Sequence, residues 1–164
     1  MSSEKPSFAQ AMGRNRKKKD ADDGAFTILI AEDNDVNVKV MQALLAKFDA
    51  KLIIASDGRK AVSVFKTRKV DLILMDINMP LLDGLQATKE IRAIERETGA
   101  PQTPIVAVTA HVKPADQHLC IAASMNDYLH KPVKDDDLKR SFKIWAPGLA
   151  FARPSKDAGS VSAA

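Results

Sequence analysis

At 164 residues the chain has room for one domain that buries a core without staples. Its 45% hydrophobic and 28% charged residues are ordinary for a globular protein. Cys120 is the only cysteine, which excludes an internal disulfide and points to a reducing compartment. No apolar run is long enough for a membrane span and the N-terminus lacks a signal-peptide core, so a cytoplasmic protein without membrane insertion is expected. Half of the formal net charge of +4 lies in residues 1–24, around Arg14-Asn15-Arg16-Lys17-Lys18-Lys19. With no aromatic side chain interleaved for base stacking, that run reads as a solvated tail, and nucleic acid is not an expected partner.

Residues 1–24 hold few large apolar side chains and are expected to be disordered, with one domain over 25–146. Order begins with a strand at Phe26-Thr27-Ile28-Leu29-Ile30-Ala31, which ends in Glu32-Asp33-Asn34-Asp35. A helix follows, capped by Asn34 or Asp35, with Val36, Val40, Met41, Leu44, Leu45 and Phe48 on one face. Lys51 to Ala55 reads as a second strand, and Ser56-Asp57-Gly58 turns into a helix from about 59 to 68. The apolar run Val70 to Met75, broken only by Asp71, is too short for an ordinary helix and fits a strand buried on both faces. It delivers Asp76 to its C-terminal end, and Pro80 with Asp83-Gly84 forces a loop straight afterwards.

The spacing predicts a helix over 85–98, apolar at Leu85, Thr88, Ile91 and Ile94 and closed by Gly99. Pro104 to Ala110 reads as a fourth buried strand with the proline at its first position, and a helix from Pro114 to Ser124 follows. A short strand surrounds Asp127-Tyr128-Leu129-His130. Asp135, Asp136 and Asp137 open a last helix that buries Leu138, Phe142 and Trp145. Pro147 and Gly148 are expected to end order, leaving 147–164 as a disordered tail. Five strands alternating with five helices demand right-handed crossovers. The expected fold class is α/β, a flavodoxin-like doubly wound (βα)5 parallel sheet of order 2-1-3-4-5.

In that order the strand ends converge on one crevice. The first strand presents Glu32 and Asp33, the third Asp76, the fourth Thr109 and the fifth Lys131. Three clustered carboxylates repel one another, and a hard divalent cation with oxygen ligands, magnesium, resolves the conflict. Thr109 and Lys131 add two donors for an oxyanion, so the natural guest is a phosphoryl group bridging metal and lysine. Asp76 is then the nucleophile, forming an acyl phosphate. Taken singly each residue has a passive reading: a helix cap, a strand end, an edge aromatic at Tyr128, a surface lysine. Their joint placement favours chemistry.

The segments Ile30-Ala31-Glu32-Asp33-Asn34, Leu74 to Gly84, Val108-Thr109-Ala110 and Asp127 to Pro132 occur in this order. Together they resemble the receiver domain of two-component response regulators, particularly the receivers of hybrid histidine kinases, over about residues 26–145. The resemblance implies that Asp76 is the phosphoacceptor, charged from a phosphohistidine on a histidine kinase or histidine phosphotransfer protein that docks on the first helix. It also implies magnesium bound by Asp33 and Asp76, by Glu32 through water and by the Asn78 carbonyl. Thr109 and Lys131 would hold phosphoryl oxygens, and Tyr128 would be the switch aromatic. His130-Lys131-Pro132 looks like the family's Lys-Pro turn, where the bond before proline is usually cis. Such a protein catalyses only its own phosphorylation and slow dephosphorylation, and passes its signal to a downstream protein.

Two positions depart from the family pattern. His111 stands two residues after Thr109, where Asn or a small residue is more usual, and is expected to modulate acyl-phosphate lifetime. Ser124 replaces a glycine, so a left-handed turn there would be strained. His118 and His130 are read as structural. The initiating methionine and long tails favour a stand-alone regulator over the receiver portion of a larger hybrid kinase. A phosphate-independent binding module is a further alternative. A haloacid-dehalogenase-type phosphohydrolase needs a carboxylate where Asn78 stands. A flavodoxin needs a Ser/Thr-rich loop where Glu32-Asp33 would repel the flavin phosphate.

Overall fold

The computed structural model describes residues 24–110 and 113–152. Strands β1 (Phe26–Ala31), β2 (Ala50–Ala55), β3 (Leu72–Asp76), β4 (Ile105–Thr109) and β5 (Asp127–His130) alternate with helices α1 (Asp35–Leu45), α2 (Gly58–Thr67), α3 (Gly84–Thr98), α4 (Pro114–Ala122) and α5 (Asp135–Trp145). All four strand pairings are parallel, and the sheet order is β2-β1-β3-β4-β5, as expected. Every residue of β3 and of β4 is buried.

Alternation along these strands builds two cores. Ile28, Ile30, Leu72, Leu74, Val106 and Val108 pack with Met41 and Leu45 of α1 and with Leu138 and Phe142 of α5. Their neighbours Leu29, Ala31, Ile73, Met75 and Ile105 pack with Phe65 of α2 and with Ala87 and Ile91 of α3. Each fully buried aliphatic side chain contributes about 1.5–3 kcal/mol. The β1-β3-β4 centre is therefore the rigid base from which the strand ends project.

The helix starts follow local chemistry. The Asn34 side chain accepts from the Val36 and Asn37 amides, and Asp57 and Asp83 cap α2 and α3 by accepting from Lys60 N–H and Gln86 N–H. Gly99, at φ 65°, closes α3. Helix α4 ends in a Schellman motif: Ser124 N–H donates to Ile121 O and Met125 N–H to Cys120 O. Ser124 sits at φ 66°, so the helix does end in a left-handed turn and the serine takes the conformation that favours glycine.

Three expectations are corrected. The apolar stripe of α1 is wider than the face it buries, since Val36 is 67% and Val40 48% exposed. On α3, Arg92 and Glu95 are buried alongside Thr88 and Ile91, while Leu85 and Ile94 are only half-buried. Order also continues past Pro147-Gly148. The chain turns back to the α1–β2 connection, where Asp49 N–H donates to Ala150 O and Ala152 N–H to Lys47 O. Phe151 stacks on Phe48 with ring centroids 5.2 Å apart. The expectations for residues 1–23, His111 and residues 153–164 lie outside the described residues.

Candidate functional site

The sheet carries the chemistry on its C-terminal edge. Glu32 and Asp33 follow β1, Asp76 is the last residue of β3, Thr109 the last of β4, and Lys131 follows β5. Glu32, Asp33 and Asp76 each offer an oxygen, and these oxygens all lie within 4.8 Å of one another. Glu32 is 6% and Asp76 5% exposed, whereas Asp33 is open to solvent. Lys131 Nζ reaches across to Glu32 Oε2 at 2.8 Å and Asp76 Oδ2 at 3.3 Å. Its backbone N–H donates to Thr109 O at 2.8 Å, and the Lys131-Pro132 bond is cis.

One ammonium thus serves two buried carboxylates, and they share it unequally. Glu32 also accepts from Asn34 N–H at 3.1 Å and Asn37 Nδ2 at 3.3 Å. Burial opposes its charge, but the hydrogen bond from Lys131, reinforced by Asn34, brings it net below the usual carboxylate range. Among the described residues, Asp76 Oδ1 accepts from Asn78 N–H, at 3.2 Å. Burial, followed by repulsion from Glu32, pushes Asp76 up to about 6 against the pull of Lys131. For Lys131, burial works against the charge, yet both carboxylates raise it above an ordinary lysine. The pocket is short of positive charge. Its oxygen-only acidic donors fit a hard divalent cation, which would supply the missing charge.

Thr109 is buried and shares a cleft with Ile77, Asn78, Lys113 and Asp116. Tyr128 is 38% exposed on β5. Glu32, Asp33, Asp76, Asn78 and Lys131 therefore lie together, with Thr109 next to them on the neighbouring strand. Two contributors went unnoticed as anything but turn residues. A Cβ on Gly84 would collide with the Asp76 carbonyl, and one on Gly58 with the Leu82 carbonyl. Gly84 N–H donates to Ile77 O and Gly58 N–H to Leu82 O, so both glycines hold the 77–83 loop against the sheet. Their Asp-Gly dipeptides carried the signal for a turn; close approach needs the third dimension.

Fold and site together define a doubly wound α/β protein with an acidic pocket and a lysine across it. A family model for the response regulator receiver domain matches residues 28–143. The chain belongs to that family and is a receiver domain of two-component phosphorelay signalling. It is 36% identical over 130 residues to the sensor protein GacS of Pseudomonas syringae, covering 79% of this chain and 14% of that protein. It is likewise 36% identical over 128 residues to the histidine-protein kinase BarA of Escherichia coli K12, covering 78% and 14%. The chain spans a small part of the length of these curated relatives.

Solved structures agree. The receiver domain of the sensor histidine kinase PA1611 of Pseudomonas aeruginosa, which has magnesium coordinated in its active-site cleft, superposes with TM-score 0.66 at 40% identity. That match covers 74% of this chain and 97% of that one. The receiver domain of Ssk1 from Saccharomyces cerevisiae, crystallised with the histidine phosphotransfer protein Ypd1, gives TM-score 0.70 at 33% identity, covering 75% and 90%. No helix among the described residues is long and apolar enough to cross a membrane.

Proposed function

We propose that the domain accepts a phosphoryl group on Asp76 from a phosphohistidine donor in a magnesium-dependent reaction, and so switches a protein-interaction surface. The observation that carries this is the pair of buried carboxylates sharing Lys131 beside exposed Asp33. In the transfer, an Asp76 oxygen attacks phosphorus, the P–N bond of the donor breaks, and the released imidazole takes up a proton. Asp33, Asp76 and the Asn78 carbonyl, with Glu32 through water, would hold magnesium, which would supply positive charge to keep Asp76 ionised and to offset the phosphoryl oxygens. Lys131, already 3.3 Å from Asp76, pairs with one phosphoryl oxygen, and the Thr109 hydroxyl donates to another. Movement of Thr109 is read out at Tyr128 two positions into β5. His111 modulates the lifetime of the acyl phosphate. The domain turns over no external substrate; it catalyses its own phosphorylation and slow dephosphorylation.

A histidine phosphotransfer protein or histidine kinase is the proposed donor, docking on α1, where Val36 and Val40 are exposed. The output is a downstream protein in the cytoplasm. A second reading, the receiver part of a hybrid kinase, is favoured by relatives of which this chain covers 14%. Acetyl phosphate tests the core of the proposal. Intact mass should show one phosphoryl adduct with magnesium, and none with a chelator or in Asp76→Asn. An adduct that persists in Asp76→Asn overturns the assignment.

A further inference from the structure

On the far side of the sheet lies a second charged cluster, which phosphoryl transfer does not use. Arg92 and Glu95 of α3 are each 2% exposed and form an ion pair, with Arg92 Nη1 2.8 Å from Glu95 Oε2. The rest of the guanidinium leaves its own helix. Nε donates to Ser124 O at 3.0 Å, Nη2 to Asn126 Oδ1 at 2.7 Å and Nη1 to Thr103 O at 2.8 Å. Glu95 Oε1 in turn accepts from Thr103 N–H at 2.7 Å. Asn126 Oδ1 also accepts from Ile105 N–H, and Asn126 N–H donates to Ile105 O, both at 2.8 Å. One arginine therefore binds α3, the lead-in to β4 and the turn between α4 and β5.

Helix α4 needs such an anchor. Cys120 is its only buried residue, followed by Ala123 just past its end, while Leu119 is 52% and Ile121 71% exposed. Its N-terminal end borders the Thr109 cleft, where Lys113 N–H and Asp116 Oδ2 make a 3.3 Å hydrogen bond. Its C-terminal end passes into Ser124, whose left-handed backbone presents its carbonyl to Arg92. The helix is weakly seated along its length and firmly held at one end.

We propose that Arg92 is a positioning residue. It pins the C-terminal end of α4 as a fixed pivot, so that a phosphoryl group on Asp76 displaces the end beside Thr109 and leaves the Ser124–Asn126 turn in place. The displacement rests on the reading of Asp76 as phosphoacceptor; the pinning does not. Charged planar donors suit the task, because a guanidinium can hold several acceptors in fixed directions at once.

The test uses the full chain and the double variant Arg92→Met with Glu95→Gln, which removes both charges together and leaves neither buried ion unpaired. Amide hydrogen exchange without ligand reads the pinning. Protection at residues 119–126 should fall about tenfold or more in the double variant, while amides of α2 and β3 keep theirs relative to global unfolding. A uniform change along the chain, or none at 119–126, overturns the pivot. If the double variant does not fold, Asn126→Ser, which withdraws the acceptor shared by Arg92 Nη2 and Ile105 N–H, is expected to give the same local loss, with Arg92→Lys, which keeps the charge and loses the fork, giving it as well. Beryllofluoride with magnesium reads the displacement. Wild-type amide shifts should be large at 114–118 and fade by 121–126, and should run through Asn126 in the variant. Shifts undiminished through Asn126 in the wild type overturn the proposal. No wild-type shifts anywhere would instead count against phosphorylation at Asp76, leaving the exchange result to decide the pinning.

Discussion

Among the described residues, a cation meets buried carboxylates in two places, and the two differ in how completely the charge is satisfied. At the C-terminal edge of the sheet, Lys131 is divided between Glu32 and Asp76, and Asp76 is left at about 6. On the α3 side, Arg92 faces a single carboxylate, and each of its three nitrogens also donates outside the ion pair, to Ser124 O, Thr103 O and Asn126 Oδ1. The first arrangement is open, under-compensated and beside solvent. The second is closed and finished. A site that must take up a cation and a phosphoryl group has to be stable enough to form and incomplete enough to react; a fastening between helices has no such constraint.

The comparison can be broken from the closed side first. Glu95→Ala strands a buried guanidinium and should cost about 3–5 kcal/mol in urea denaturation. A loss below about 1 kcal/mol would mean that solvent reaches the cluster and that its hydrogen bonds add little.

The open side predicts the opposite sign. Asp76 is raised from 3.8 to about 6 by folding, so between those values the folded protein holds a proton that the unfolded chain has released. Stability from this group is present below about pH 4 and is lost as pH rises through about 6. Asp76→Asn removes that loss and should stabilise the metal-free protein by about 1–3 kcal/mol at pH 7. The gain should shrink towards zero near pH 4. A variant less stable than wild type at pH 7 would mean that Asp76 is well compensated.

A smaller effect sharpens the link between the two regions. Ser124 carries a left-handed conformation that glycine adopts freely. Ser124→Gly should stabilise by about 0.5–1 kcal/mol, after the greater entropy of a glycine in the unfolded chain is offset. Thermal unfolding would read this as a rise in Tm; a fall would show that the serine side chain contributes more than its backbone costs.

The sheet order and the open site were legible in the sequence because both follow from short-range patterns. Short continuous apolar runs mark Leu72 to Met75 and Ile105 to Val108 as buried strands, and parallel topology then brings Glu32, Asp33, Asp76 and Lys131 to one edge. The closed cluster was not legible. Arg92 and Glu95 look like the polar face of an amphipathic helix, and only partners such as Asn126, 34 positions away, turn them inward. The same limit explains Phe151, which lies beyond a Pro-Gly pair that ordinarily ends order yet finds Phe48 across the fold. On α1 the pattern over-reached, since Val36 and Val40 continue the apolar stripe onto exposed surface.

The claim that the phosphoacceptor pocket is electrostatically unfinished can be measured at one atom. Carbon-13 NMR of the Asp76 carboxyl, assigned by its loss in Asp76→Asn, should titrate near about 6 without divalent cation and well below that in magnesium. Titration near the ordinary aspartate value of about 3.9 in both conditions would show that Lys131 already completes the site, and would contradict the account.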